Sequence, residues 1–380
     1  MQHNRHIGVI FGGRSGEHEV SLASARSILA ALDPQKYTVT QIGITKDGVW
    51  LGSSGKENVL DAFLKGDTSA LVPVTLLPDP THPNIYTVKH RSNTDSAQGE
   101  DVVRYLSSLD VVFPVLHGTY GEDGTLQGLL ELNSIAYVGA GVVGSAVGMD
   151  KGIFKDVMRA HNLPVLDWTV VTRSVIEQDL ERAIQQALAV APFPLFVKPA
   201  NLGSSVGISK CSSRVDLVEG LMDAARYDRR VIIERGIQAR EIEISVLGNE
   251  DAIVSEPGEI IPSREFYSYE AKYIDNRSEL IIPASLPVET VRKIKELAIL
   301  AYRIIDCAGM ARVDFFLDKK DGNLFISELN TIPGFTQISM YPKLWEASGI
   351  PYSQLVDRLI ELALQRKAER DHTIYKRMDN

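Results

Sequence analysis

The sequence predicts an α/β protein of two or three domains, with a parallel α/β domain first and antiparallel sheet after it. Three observations carry this. A chain of 380 residues is too long for one ordinary core. Short apolar strands alternate with helices in the first part of the chain, the pattern of parallel strands joined by crossover helices. From Phe193 onward the strand-like segments need only form antiparallel sheet, and the last two, within Met310–Gly334, read as a hairpin closed by Lys319-Lys-Asp-Gly322.

His6–Phe11 is a short buried strand, Gly12-Gly13 a turn, and a helix follows from Glu17 or Glu19 with Val20, Ala23, Ile28 and Leu29 on its apolar stripe. Tyr37–Thr45, Asp110–Leu116 and Ile135–Val138 are the next strands, and function in such a domain lies at their carboxyl ends. Gly12-Gly13 lacks a full dinucleotide fingerprint, and the second strand ends in Thr45 with no ribose-binding acid. Glu17 at a helix start would repel an anion and attract an ammonium group, although a carboxylate there is also favoured by the helix dipole alone. His117–Gly124, HGTYGEDG, suits close backbone approach or an ordinary turn with Asp123 as N-cap. No second His lies at ligand spacing, so His117 is not read as a metal ligand. Gly139–Gly144 is a formal G-x-G-x-x-G with Asp167 near ribose distance. It begins deep in the chain and runs into Met149-Asp150-Lys151, so Gly139–Gly148 is read as a domain boundary.

Phe193–Lys198 is a strand, Asn201–Gly207 a loop and Ile208–Cys211 a strand. The loop's Gly-Ser-Ser-Val-Gly can fold N–H groups over phosphate oxygens, with Lys198 as a point charge, although it is no Walker loop. Val231–Ile237 is a buried strand ending in a polar step, and Glu241–Val246 alternates charge with apolar residues. Ser263–Tyr273, a polar aromatic loop, reads as a lid. Leu286–Cys307 and Ile350–Arg370 are amphipathic helices, the second with a solvated charged face.

Residues two apart in a strand share a face. In the hairpin Arg312 and Asp314 therefore oppose Val313, Phe315 and Leu317. On the return strand Glu328 and Asn330 oppose Phe325 and Leu329. If the polar faces coincide, Asp314, Glu328 and Asn330 make an oxygen cluster beside Arg312, suited to magnesium and substrate phosphates. The alternative is a hairpin with one solvated face.

A net charge of -9 argues against a nucleic-acid surface. Cys211 and Cys307, far apart in the sequence, suit a reducing compartment without a disulfide framework. The N-terminal residues carry no apolar leader, and no stretch reaches membrane-spanning length, so a cytoplasmic protein is expected. Lys89–Glu100 reads as an exposed excursion.

Together these segments resemble the ATP-grasp superfamily and, within it, the D-alanine–D-alanine ligase family in its longer form. The resemblance rests on Gly12–Ser21, His117-Gly118 with Gly121–Gly124, Met149-Asp-Lys151 and Lys198-Pro with Gly203–Gly207. It continues through Tyr269–Tyr273, Gly309–Asp314, Glu328-Leu-Asn330 and Pro333-Gly334, in order over nearly the whole chain. The length of Lys46–Val103 departs from the pattern. The resemblance implies three domains, at 1–144, 145–232 and 233–380, with ATP between two antiparallel sheets. It implies ligation of two D-alanines through an acyl phosphate, for peptidoglycan precursor synthesis, by a homodimer. Asp314, Glu328 and Asn330 would hold two Mg2+ or Mn2+ ions, with K+ a further cation. Lys151 and Lys198 would meet the phosphates, Glu234 and Ile237 the adenine and Glu241 the ribose, with Ser205 and Phe266 as further ATP-binding residues. Glu17 would take the first D-alanine's ammonium and His117 would line that subsite. Ser339 and Met340 would serve the second D-alanine, and Arg312 with the Gly334 N–H would stabilise the oxyanion. Ser204, Tyr273 and Glu17 would form a link closing the lid, with Lys272 near the transferred phosphoryl group.

Overall fold

The structure is a computed structural model, and it describes residues 4–89, 101–204, 206–261 and 279–374. The first lobe begins with β1 (Arg5–Gly12), α1 (His18–Ala31) and β2 (Tyr37–Ile44). β3 (Trp50–Gly52), α2 (Val59–Lys65), β4 (Val72–Leu76), β5 (Asn84–Lys89) and β6 (Val102–Ser108) follow. β7 (Val111–Val115), α3 (Thr125–Leu132) and β8 (Ala136–Tyr137) complete it. They form one eight-stranded sheet in the order β6-β5-β4-β3-β2-β1-β7-β8. β1 is buried from Ile7 to Gly12, as a central parallel strand covered on both faces must be.

Only half of this sheet follows the parallel expectation. β2-β1-β7-β8 are parallel, but β3 to β6 continue from β2 as antiparallel neighbours. The cause is the connections: the turn from Ile44 to Trp50 is too short for a crossover, and short connections join only antiparallel strands. The described part of the long Lys46–Val103 stretch is thus an antiparallel extension of the sheet, and the excursion expected at Lys89–Glu100 lies, from residue 90 on, outside the described residues.

The second lobe holds α4 (Val142–Met149), α5 (Lys151–Ala160), β9 (Trp168–Thr172), α6 (Arg173–Gln178) and α7 (Leu180–Leu188). β10 (Leu195–Pro199), β11 (Ser209–Cys211), α8 (Arg214–Tyr227) and β12 (Arg230–Arg235) follow. The antiparallel sheet runs β11-β10-β12-β9. Leu195, Val197, Val231 and Ile233 share a core with Ala183 and Ile184 of α7 and Leu217 and Leu221 of α8. By alternation, Lys198 and Glu234 face away from that core.

The third lobe holds β13 (Ala239–Gly248), β14 (Ile253–Val254), β15 (Gly258–Ile261), β16 (Glu279–Ile281) and α9 (Val288–Ile304). β17 (Gly309–Asp318), β18 (Leu324–Asn330), α10 (Met340–Ala347) and α11 (Tyr352–Arg370) close the chain. Its sheet runs β16-β15-β13-β17-β18, with β14 on β13. The passage between the last two sheets falls between Arg235 and Ala239. Ile242, Ile244, Val313 and Phe315 bury one sheet face with α9 residues Ile294 and Ala298. Each such side chain favours this register by roughly 1.5–3 kcal/mol, because a one-residue slip would expose it and bury Arg312 and Asp314 instead.

The hairpin carries an irregularity. Asp314 pairs with Glu328, but Phe315 pairs with Ile326, leaving Ser327 as an extra residue. Leu324, Ile326 and Leu329 are therefore buried together, and Phe325 is turned to the half-buried side with Phe316. Strict alternation had put Phe325 with Leu329.

The charged face of α11 is not simply solvated. Arg366 donates to the carbonyls of Gly139 and Tyr137, Arg370 pairs with Glu131, and Asp357 meets Lys36 at 2.7 Å and the Tyr37 hydroxyl at 2.9 Å. Leu355, Val356 and Leu359 of this helix share the core of Ile7, Val9 and Phe113. First and third lobes thus have one core between them. The formal G-x-G-x-x-G serves packing: a Cβ on Gly144 would lie 2.9 Å from the Asp306 carbonyl oxygen, and Gly139 lies against Gly309. Asp167 is engaged elsewhere, with Arg159 at 3.3 Å.

Candidate active site

The polar hairpin face continues across a third strand. Register aligns Glu243 of β13 with Asp314 of β17 and Glu328 of β18, and Ser245, Arg312 and Asn330 form the next rung. Three carboxylates abreast repel one another, and Arg312 offsets this. Its Nε and Nη2 donate to the two oxygens of Asp314, both at 2.7 Å, and Nε lies 2.9 Å from Glu243 Oε2. Burial disfavours the Arg312 charge, but Asp314 and Glu243 outweigh that and hold its pKa well above the ordinary value. Asn330 Nδ2 donates to Asp314 Oδ2 at 3.1 Å. Lys151 Nζ lies 4.0 Å from Glu328 Oε2 and donates to the Leu202 carbonyl at 2.8 Å.

This face forms one wall of a cavity of about 480 Å³. Lys151, Arg312, Glu328 and Asn330 line it on that side, Gly334, Ser339 and Met340 on another, and Glu17, His117 and Ser204 close it from the first two lobes. The structure thus gathers ten of the sequence-predicted residues around one space.

Glu17 is the N-cap of α1 but makes no side-chain cap hydrogen bond. Its carboxylate instead accepts from the Ser204 hydroxyl. Two glycines press against it: a Cβ on Gly203 or Gly118 would lie 2.4 or 2.6 Å from Glu17 Oε2. His117 is buried, with Nε2 on Ser24 Oγ at 3.0 Å and Nδ1 on the Ile332 carbonyl at 2.9 Å. Burial lowers its pKa, and the nearby Glu17 charge limits the drop. Glu122 binds two distant loops, accepting from Gly118 N at 2.7 Å and Ile332 N at 2.8 Å. Burial and the Glu17 charge push its pKa up to about 8, against the pull of those two N–H groups. Ser339 accepts from Thr336 N at 3.0 Å and so fixes the turn after Gly334.

Comparisons with known proteins decide the family. Residues 6–140 match the family described as D-ala D-ala ligase N-terminus, and residues 157–361 match D-ala D-ala ligase C-terminus. The chain belongs to the D-alanine–D-alanine ligase family. A D-alanine–D-alanine ligase of Caldicellulosiruptor bescii is 50% identical over 371 residues, covering 98% of each chain. One from Heliobacterium modesticaldum is 49% identical, again covering 98% of each. Among solved structures, the D-alanine–D-alanine ligase of Coxiella burnetii is 36% identical with a TM-score of 0.78, covering 97% of this chain and 96% of that one. The VanG D-Ala:D-Ser ligase of Enterococcus faecalis is 34% identical with a TM-score of 0.81, covering 95% of this chain and 100% of that one. The fold is that of these ATP-grasp ligases.

Other residues singled out by the family resemblance lie outside that cavity. On the face of the second sheet turned from its core, Lys198 Nζ donates to Glu234 Oε2 at 2.6 Å. Glu241 lies on the same face of β13 as Glu243, and Ile237 is half-buried in the link from β12 to β13. Ser205, Phe266, Lys272 and Tyr273, with the rest of the expected lid, lie outside the described residues. Sequence reasoning missed Glu243, Glu122 and Lys155. The Glu-Ile-Glu-Ile alternation put Glu243 on the polar face of β13, but only strand register aligns it with Asp314.

The oxygen donors of Asp314, Glu328 and Asn330 fit a hard divalent cation that also binds phosphate. Among the described residues no group of three His, Cys, Asp or Glu side chains is arranged around a metal site. Both Asp314 oxygens are on Arg312, so binding a cation there requires Arg312 to yield at least one of them.

Proposed function

We propose that this chain joins two D-alanines into D-alanyl-D-alanine with hydrolysis of ATP to ADP and phosphate, for cell-wall precursor synthesis. The single observation that carries the reading is one cavity lined both by a carboxylate, Glu17, and by the Arg312–Glu328–Lys151 group. An amino acid binds there with its ammonium on Glu17 and its carboxylate toward the phosphates.

A carboxylate is a poor electrophile. One of its oxygens therefore attacks the γ-phosphorus of ATP, the bond to the β-phosphate oxygen breaks, and an acyl phosphate forms. The amine of the second D-alanine attacks the acyl carbon, and phosphate leaves as the amide forms. No protein nucleophile is needed, only positioning and charge stabilisation. Lys151, Lys198 and Ser205 meet the phosphates. Glu234 and Ile237 line the adenine, Phe266 is a further ATP contact, and Glu241 binds the ribose. Arg312 and the Gly334 N–H stabilise the oxyanion of the tetrahedral intermediate. Ser339 and Met340 receive the second D-alanine, and His117, buried and uncharged, shapes the first subsite. Asp314, Glu328 and Asn330 would hold two magnesium or manganese ions, which when bound neutralise phosphate charge. Ser204 and Tyr273 complete the link to Glu17, with Lys272 near the transferred group. The family resemblance also supports potassium as a further cation, a homodimer and a cytoplasmic location. Among the described residues no helix is long and apolar enough to cross a membrane.

The test is phosphate release from Mg-ATP with D-alanine, L-alanine, D-serine, D-lactate or no amino acid, with product masses recorded. D-alanine should give the dipeptide and most phosphate. Equal release with L-alanine, or release without dipeptide, would overturn the reading.

A further inference from the structure

Lys155 takes part in none of the steps above. It lies four residues after Lys151 on α5, so both ammonium groups leave one side of that helix. Lys155 and Glu234 are each 2% exposed, and Lys155 Nζ pairs with Glu234 Oε1 while Lys198 Nζ holds Oε2 at 2.6 Å. Neither Lys155 Nζ nor Glu234 Oε1 has another hydrogen-bond partner among the described residues. The Trp168 ring, 5.9 Å from Lys155 Nζ, adds a cation–π contact. Glu328 and Glu241 add their fields from the third lobe. One buried carboxylate thus lies between two ammonium groups. Burying an ion pair is costly, and hydrophobic residues of similar volume would commonly serve stability as well.

We propose that Lys155 is a positioning residue of the nucleotide site: by occupying one oxygen of Glu234 it lets that carboxylate orient Lys198 without cancelling the positive charge offered to the phosphates. The inference rests on reading Lys198 as a phosphate ligand. Without Lys155, Glu234 and Lys198 form a neutral pair, and the charge on Lys198 is spent inside the protein.

The experiment measures KM for Mg-ATP and for D-alanine, with thermal stability, for the full chain carrying Lys155→Met, Lys155→Met with Glu234→Gln, or Lys198→Met. Lys155→Met should raise KM for ATP about tenfold or more while KM for D-alanine stays within about twofold, a split that mere loss of structure would not give. The double variant, which removes both charges of the pair, should have a KM for ATP at least about threefold below those of Lys155→Met and Lys198→Met. If Lys155→Met does not fold, the double variant decides alone. An unchanged KM for ATP in Lys155→Met, or a double variant as impaired as Lys198→Met, would overturn the inference. An unchanged KM for ATP in Lys198→Met would instead overturn the phosphate reading of Lys198 itself.

Discussion

The two parts of the candidate site hold their buried polar groups in different ways. On the nucleotide side each charge has an opposite charge: Arg312 between Asp314 and Glu243, Glu234 between Lys155 and Lys198. Around the first D-alanine subsite the partners are hydroxyls and backbone groups: Ser204 on Glu17, Ser24 and a carbonyl on His117, two N–H groups on Glu122. In the first arrangement Arg312, Asp314 and Glu243 lie on neighbouring strands of one sheet, Lys198 and Glu234 on neighbouring strands of another, and only Lys155 comes from a helix. The second requires three lobes to meet. Charge on the nucleotide side should therefore be insensitive to lobe apposition, whereas the amino-acid side should lose function through any contact that holds the lobes together.

The largest expected effect is on the nucleotide side. Glu328→Gln removes one of three carboxylates in a rung together with a proposed cation ligand, so turnover should fall by roughly three orders of magnitude. Stability should hold or rise, because a like-charge repulsion is relieved. Phosphate release at saturating magnesium and a melting curve check both. Near-wild-type release would remove the metal site from this face.

The second effect is an acid limb in stability. Lys155 and Lys198 overcome the burial penalty and hold the Glu234 pKa at about 2, against an ordinary value of 4.5. A depressed carboxyl pKa stabilises the fold above the unfolded value and loses that contribution as pH falls through the folded one. On the order of 3 kcal/mol should thus disappear between pH 4.5 and 2. Urea midpoints across this window should fall less steeply in Glu234→Gln than in wild type. Parallel slopes would mean that the two lysines do not hold the carboxylate ionised.

Much of the nucleotide side was legible in the sequence because it is local. Arg312, Asp314, Glu328 and Asn330 lie on two adjacent strands, and alternation places each pair on one face of its own strand, while the extra Ser327 brings the two faces together. The failures trace to register and distance. The extra Ser327 moved Phe325 to the other face. Glu243 needed the pairing of β13 with β17, which alternation alone does not supply. The antiparallel half of the first sheet was missed because an apolar run does not state the direction of its neighbour. Glu122 was read only as part of a turn, since its second loop begins 210 residues away. Lys155 looked like one more charge on an amphipathic helix, until folding brought Glu234 beside it. Glu17 and the first subsite became readable mainly through family resemblance, because their partners come from separate lobes.

On the amino-acid side, Glu17→Gln keeps the shape and removes the charge expected to bind ammonium. A charge-assisted hydrogen bond contributes roughly 1.5–3 kcal/mol, so kcat/KM for D-alanine should fall about 10- to 100-fold. KM for ATP should change little, because the nucleotide side carries its own counter-charges. A matched loss in both would show that the two sides are less separate than their contacts suggest.

The smallest effect tests the contact between lobes at Ser204. This residue has φ 51°, the left-handed region where a serine costs on the order of 1 kcal/mol. Its hydroxyl donates to Glu17. Ser204→Ala should lose the hydrogen bond and keep the strain, whereas Ser204→Gly should lose the bond and release the strain. Both should lower kcat/KM for D-alanine by about tenfold, the worth of one hydrogen bond to a charged group. The two should separate in stability: glycine should melt higher than alanine by about 2–4 °C, less whatever its greater unfolded-state freedom removes. Equal melting temperatures with unequal activities would mean that the backbone of Ser204, and not its hydroxyl, joins the second lobe to Glu17. The difference between the two parts of the site would then lie in chain conformation rather than in the kind of partner each group has.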